Sequence, residues 1–316
     1  MMKKLIAMLI ALTMVAGLAA CATTAAPAAT EAPAAEATQA PAADATEAPT
    51  AAPAAFDKDI VVVSREDGSG TRGAFIELMG VEQKDADGNK VDYTTLDAEI
   101  VNSTSVVLQT VAGNVAAIGY ISLGSLNDTV KALQIDGADA TVENIKSGAY
   151  KVARPFNIAT QATVSEAAQA FIDFILSAEG QAVIQDNKYI ASVDNAPAFA
   201  GSTVAGKVVV AGSSSVTPVM EKLKEAYMAL NPNAEIEIQM SDSSTGVKMA
   251  IEGNCDIGMA SRELKDSELS AGVTPTVIAI DGIAIVVNND NPISGLTAEQ
   301  VRQIYVGEML NWAEVQ

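Results

Sequence analysis

The sequence predicts an α/β fold, built as one large domain or two lobes. Short β-rich runs alternate with amphipathic stretches from residue 57 onward. The clearest runs lead through Ser/Gly/Thr loops into helices. Hydrophobic residues make up 49% of the chain and aromatics 4%, a globular composition.

Taken in order, Ile60–Val63 reads as a strand and Thr71–Met79 as a helix with Phe75, Leu78 and Met79 on one face. Strands are expected at 99–102 and 116–121, with a helix near 104–112 between them. Residues 154–160 are extended, and 166–176 form a helix on which Ala167, Ala170, Phe171, Phe174 and Ile175 recur at helical spacing. A loop over 192–206 leads to a strand at 207–211. A helix follows at 218–230, with Pro218 suited to its first turn. Strand 235–240, helix 246–252, strands 256–260 and 278–287, and helix 297–306 complete the series.

Before residue 57 the pattern is different. Lys3 and Lys4 precede an apolar run, Leu5 to Leu18, that ends in Leu18-Ala-Ala-Cys21. That is a signal peptide over 1–20, and its close resembles a bacterial lipobox with Cys21 as the lipidated residue. Residues 21–55 then form an Ala/Pro/Thr/Glu tether with no large apolar side chain to offset the entropy of ordering it. The expected location is extracytoplasmic, lipid-anchored to the bacterial cell membrane.

A net charge of −20 argues against nucleic acid as partner. It leaves a small anion open, because a site is governed by its local donors. Cys255 is left without a second cysteine once Cys21 is lipidated, and there is no histidine. Histidine-based nucleophilic catalysis and the usual zinc sites are therefore excluded, and no metal and no cofactor is expected.

Three loops carry the chemistry: Ser64-Arg-Glu-Asp-Gly-Ser-Gly-Thr-Arg72, Ala211-Gly-Ser-Ser-Ser-Val-Thr-Pro218 and Ser241-Asp-Ser-Ser-Thr-Gly246. Each follows a strand and opens a helix, where unpaired N–H groups and the positive dipole end attract anions. Simple N-capping would explain any one of them. Three together, one carrying Arg65 and Arg72, suit a tetrahedral oxyanion better. No loop has the nucleotide-binding Gly-Lys spacing.

These segments, with Asp256-Ile-Gly-Met-Ala-Ser-Arg-Glu-Leu264, Asp281-Gly-Ile-Ala-Ile-Val-Val-Asn288, Ala117-Ile-Gly-Tyr120, Arg154-Pro-Phe156 and Asn311-Trp-Ala-Glu-Val315, closely resemble the phosphate-binding proteins of ABC-type transporters. The resemblance covers essentially all of 57–316. It implies a type II periplasmic-binding-protein clamshell of two lobes, each a mixed sheet flanked by helices, closing on inorganic phosphate. It implies a monomeric receptor, not an enzyme, that delivers phosphate to the permease subunits of an importer. Carried over, Arg65 pairs with the anion, with Ser69, Gly70 and Thr71 as donors from one lobe and Ser214, Ser215 and Ser243 from the other. Arg262 stands where well-known members have an aspartate that accepts the phosphate proton. Arg262 is then a second cation, or Glu263, Asp242 or Asp281 supplies the acceptor; Asp67 orients Arg65 or the loop. The alternatives are a receptor for another oxyanion such as sulfate or molybdate, a phosphate sensor, or a surface hydrolase.

The halves stand in reverse order relative to that family, which reads as a circular permutation with a new link at about 191–206. The expected lobes are 57–153 plus 288–316, and 156–287, with Gln316 near Phe56. A truncated tandem protein is the rival account.

Overall fold

The structure is a computed structural model and describes residues 56–315. The expected signal peptide over 1–20, Cys21, the tether over 21–55 and Gln316 lie outside the described residues.

The first stretch runs β1 (Val61–Arg65), α1 (Gly70–Leu78), β2 (Glu82–Lys84), β3 (Lys90–Asp92), β4 (Glu99–Val101), α2 (Thr104–Gly113) and β5 (Ala117–Ser122), then β6 (Val130–Ala132), β7 (Gln134–Ile135) and α3 (Val142–Ser147). The second runs β8 (Ala153–Thr160), α4 (Glu166–Ile175), α5 (Ala178–Asp186), β9 (Ile190–Ala191), β10 (Gly206–Ser213), α6 (Thr217–Leu230), β11 (Ala234–Ser241), α7 (Ser243–Glu252), β12 (Ile257–Ala260) and α8 (Asp266–Ser270). β13 (Thr274–Asn288), β14 (Gly295–Leu296) and α9 (Ala298–Val306) follow.

The main sheet has the order β11-β10-β12-β8-β13-β5-β1-β4, with β6 and β9 also on β13. β10 pairs in parallel with β11 and β12, and β1 in parallel with β4 and β5. Between these parallel blocks stand the antiparallel β8 and β13. In each block the helices begin where parallel strands end, so their starts gather at the strands' carboxyl edge.

Two main cores flank this arrangement. One gathers Phe156, Phe171, Phe174, Tyr227 and Ile278; the other gathers Phe75, Tyr120, Tyr305, Trp312, Ile283 and Ile285. β13 belongs to both. Its partner changes from β8 to β5 at Gly282/Ile283, and its side chains change core between Ala279 and Ile283. That change lies about five residues before the expected lobe boundary at 287/288. The strand is buried continuously from Gly282 to Asn288, so its apolar run carries no mark of the crossing.

The described carboxyl-terminal residues fold back on the first ones. Asp59 bridges Asn311, Trp312 N donates to Lys58 O at 2.9 Å, and the Phe56 and Trp312 rings lie 6.4 Å apart. Trp312 is buried and its Nε1 donates to Ala116 O at 2.9 Å.

Candidate functional site: four helix starts around a hydroxyl cluster

The three loops picked out in the sequence meet, and a fourth joins them. β1 leads through Ser69 into α1, β4 through Ser103 into α2, β10 through 213–216 into α6, and β11 through Asp242 into α7. Thr71 Oγ1 lies 2.8 Å from Ser215 Oγ, and Thr104 Oγ1 lies 3.2 Å from Ser215 Oγ and 3.4 Å from Ser214 Oγ. On the other flank Ser213 Oγ donates to Ser261 Oγ at 3.0 Å, and Ser261 N donates to Ser243 Oγ at 3.1 Å. Thr71, Thr104, Ser213, Ser214, Ser215, Ser243 and Ser261 are all buried. An alanine Cβ at Gly70 would stand 2.3 Å from Ser243 Oγ and 2.7 Å from Ser261 Oγ, so glycine is what admits these hydroxyls.

Arg65 lies at the edge of this cluster, 2% exposed, and its Nη2 donates to Ser214 Oγ at 3.1 Å. The fork is held by Glu66: Nε and Nη2 donate to its two carboxylate oxygens at 2.8 and 2.7 Å. Behind it, Tyr120 Oη accepts from Arg65 N at 3.1 Å and stacks on Phe75 at 4.0 Å. Burial raises the Tyr120 hydroxyl to about 12, so it remains a neutral donor and acceptor. A guanidinium, buried hydroxyls and helix-start N–H groups together can replace the hydration shell of a small oxyanion.

The remaining predicted residues sit elsewhere. Ser69 caps α1, its Oγ accepting from Arg72 N at 3.3 Å. Asp67 does not hold Arg65. Its side chain is 97% exposed and pairs with Arg72 at 3.0 Å, while the neighbouring Glu66 points inward and takes the Arg65 fork. Arg262 is buried, but its fork is filled by Glu268 at 2.9 and 2.8 Å, and Nη2 donates to Ser244 Oγ at 3.1 Å. It borders a crevice of about 590 Å³ along α1 and braces the first turn of α7. Glu263 is exposed and offers Arg262 only its backbone carbonyl. Asp242 caps α7, and Asp281 accepts from Ser122 and Arg154. A larger cavity of about 990 Å³ lies between α4 and the loop over 193–204, away from these residues.

Thr104 and Ser261 were missed as site residues. Val101-Asn-Ser-Thr104 repeats the device of a strand, a hydroxyl loop and a helix, and that signal could have found the α2 start. Ser261 carries no local signal beyond following β12.

The PBP superfamily domain model matches residues 18–179 and 197–316. The chain is 57% identical over 257 residues to the Phosphate-binding protein PstS 2 of Streptococcus agalactiae serotype V, covering 81% of this chain and 87% of that protein. The chain belongs to the PstS phosphate-binding-protein family of the PBP superfamily. A crystal structure of a phosphate ABC transporter phosphate-binding protein from Streptococcus pneumoniae TIGR4 superposes with a TM-score of 0.65. Identity there is 45%, over 82% of this chain and 100% of that one. The PstS-family protein of Pseudomonas aeruginosa PAO1 matches at 40% identity but over only 111 residues, 33% of this chain and 34% of that protein.

Proposed function

We propose that this chain is an extracytoplasmic receptor that captures inorganic phosphate between two lobes and hands it to the permease of an ABC importer. The observation that carries the reading is the buried meeting of four helix starts and Arg65. The two sides of that meeting, 65–104 and 213–261, come from different cores. The lobes follow the cores: 57–153 with the chain from Ile283 onward, and 156 to about 280. A ligand touching both sides favours the closed arrangement. Arg65 supplies the charge-assisted bond, while Thr71, Thr104, Ser214, Ser215 and Ser243 supply hydroxyls. Gly70 and the start of α1 supply backbone donors.

Glu66 orients Arg65, and Arg262 acts through Ser244 by fixing α7. Lipidation at Cys21 would hold the receptor at the membrane, with residues 22–55 as spacer. The chain works as a binder: it has no histidine, and Cys255 is a buried thiol raised to about 11 by burial.

The circular permutation also belongs to this proposal. A relative with the halves in the same order aligns through nearly its whole length, as the streptococcal protein does. One with the opposite order aligns through a single half, which fits the 111-residue match to the Pseudomonas protein. The close packing of residues 56–60 on 310–315 suits a cut inside one lobe.

Titration calorimetry on the full chain carrying Cys21→Ser, with phosphate and with sulfate, tests the function. Tight phosphate binding that Arg65→Ala removes is expected. Equal binding of sulfate would make it a general oxyanion receptor, and no binding of either would defeat the proposal.

A further inference from the structure

We propose that Gly68 and Asp242 form the stop that sets how far the two lobes close; the inference rests on the capture reading above. Gly68 lies in the turn between β1 and α1, outside the hydroxyl cluster and half-buried. Its backbone is not in the left-handed region, so alanine is conformationally acceptable there. The obstacle comes from the other lobe. An alanine Cβ would stand 2.2 Å from Asp242 Oδ1, 2.6 Å from its Cγ and 3.2 Å from Oδ2, and no other atom is nearer.

Asp242 cannot easily yield. It is the N-cap of α7: Oδ1 accepts from Thr245 N at 2.9 Å and Oδ2 from Thr245 Oγ1 at 2.6 Å. Turning the carboxylate aside would uncap the helix whose start faces the cluster. Beside this contact Ser244 N donates to Gly68 O at 3.1 Å, a direct backbone bond between the lobes. Ser244 Oγ is itself held by Arg262, which is fixed by Glu268. Turn 66–69 therefore meets a rigid helix start, and the fit has room for hydrogen alone. Gly68 is in this sense a positioning residue: it touches no ligand donor, yet it lets Thr71 Oγ1 come to 2.8 Å from Ser215 Oγ.

The test uses the full chain with Cys21→Ser and inorganic phosphate. Gly68→Ala should weaken phosphate binding about tenfold or more, as overpacking a close contact does. In saturating phosphate it should also show a larger radius of gyration by small-angle scattering than the parent. Asp242→Gly removes the obstructing side chain and keeps a residue tolerated at a helix cap. The pair Gly68→Ala/Asp242→Gly should therefore bind within about threefold of Asp242→Gly alone, since an additive effect would signal no coupling. A Gly68→Ala protein as tight and as compact as the parent would overturn the stop. So would a loss that Asp242→Gly leaves in place, because that loss would come from the turn itself. A parent chain that binds no phosphate defeats the capture reading, a result distinct from either of these.

Discussion

Arg65 and Ser214 stand 149 residues apart in the chain, yet Nη2 of the first donates to Oγ of the second at 3.1 Å. The same nitrogen also donates to Glu66 at 2.7 Å. Arg65→Lys replaces a planar fork by a single ammonium that cannot bridge both partners. It should weaken phosphate binding by about tenfold to a hundredfold, the range for a charge-assisted bond. Glu66→Gln should cost about tenfold, and Asp67→Asn less than about threefold, because only Glu66 holds the fork. Calorimetry on the three variants checks the ranking; a larger loss at Asp67 would reverse the assignment of the orienting carboxylate.

Thr104 bridges Ser214 and Ser215 from the α2 start. Thr104→Val keeps the shape and removes the hydroxyl, which should weaken phosphate binding about fivefold to tenfold. Thr104→Ser should bind like the parent. Equal losses in both would point to packing at the α2 start.

The pair Arg154–Asp281 ties the crossing strands at 3.1 Å with both side chains almost wholly buried. Burial pushes the Asp281 carboxyl up from 3.8 to about 6, against the pull of Arg154 and Ser122. The folded chain thus holds this proton more tightly than the unfolded one. The resulting stability is fully present below the ordinary carboxylate value and is lost as pH rises through about 6; a displacement of that size is worth about 3 kcal/mol. At Asp92 burial is outweighed by Thr94 and Arg72, so its carboxyl is held low and acts oppositely, losing stability in stronger acid. Urea midpoints should therefore rise from neutral pH to about pH 4.5 and fall below it. Asp281→Asn imitates the protonated acid at every pH and should therefore flatten the rise. A rise of unchanged size in that variant would place its origin elsewhere.

Trp312→Ala should destabilise the chain by about 3–5 kcal/mol, the range for a buried aromatic, and it also breaks the bond to Ala116. Urea unfolding with phosphate titration alongside separates stability from binding; a phosphate affinity that falls in proportion would link the chain end to the site.

The longer helices other than α5, and the parallel strands of the main sheet, were legible because their signals are local. α4 recurs at helical spacing and Ser165 caps it; β1 and β10 each carry a Val-Val-Val run. α5 was missed because Gly180 and scattered polar residues blur its period, and the β2–β3 hairpin because it is short, polar and unburied. The three loops could be read as anion-binding only together, because capping explains each one alone. What the sequence could not supply was orientation. Glu66 and Asp67 are adjacent acids, and nothing local says which turns inward. Arg262 looked like a ligand because it stands where well-known members of the resembled family have a proton-accepting aspartate, but its partner Glu268 arrives from α8. The crossing in β13 stayed hidden because it falls inside the continuously buried stretch over 281–288.

The clasp between residues 56–60 and 310–315 also has a mechanical meaning. A pull on the chain ahead of Phe56 meets the Asp59–Asn311 bridge, the Lys58–Trp312 bond and the indole wedged against β5. Those contacts all lie on the core that holds Trp312, so the load ends there and never reaches the helix starts of α6 and α7. On the capture reading proposed above, the lobe that carries the clasp takes this load and leaves the other to move on β8 and β13.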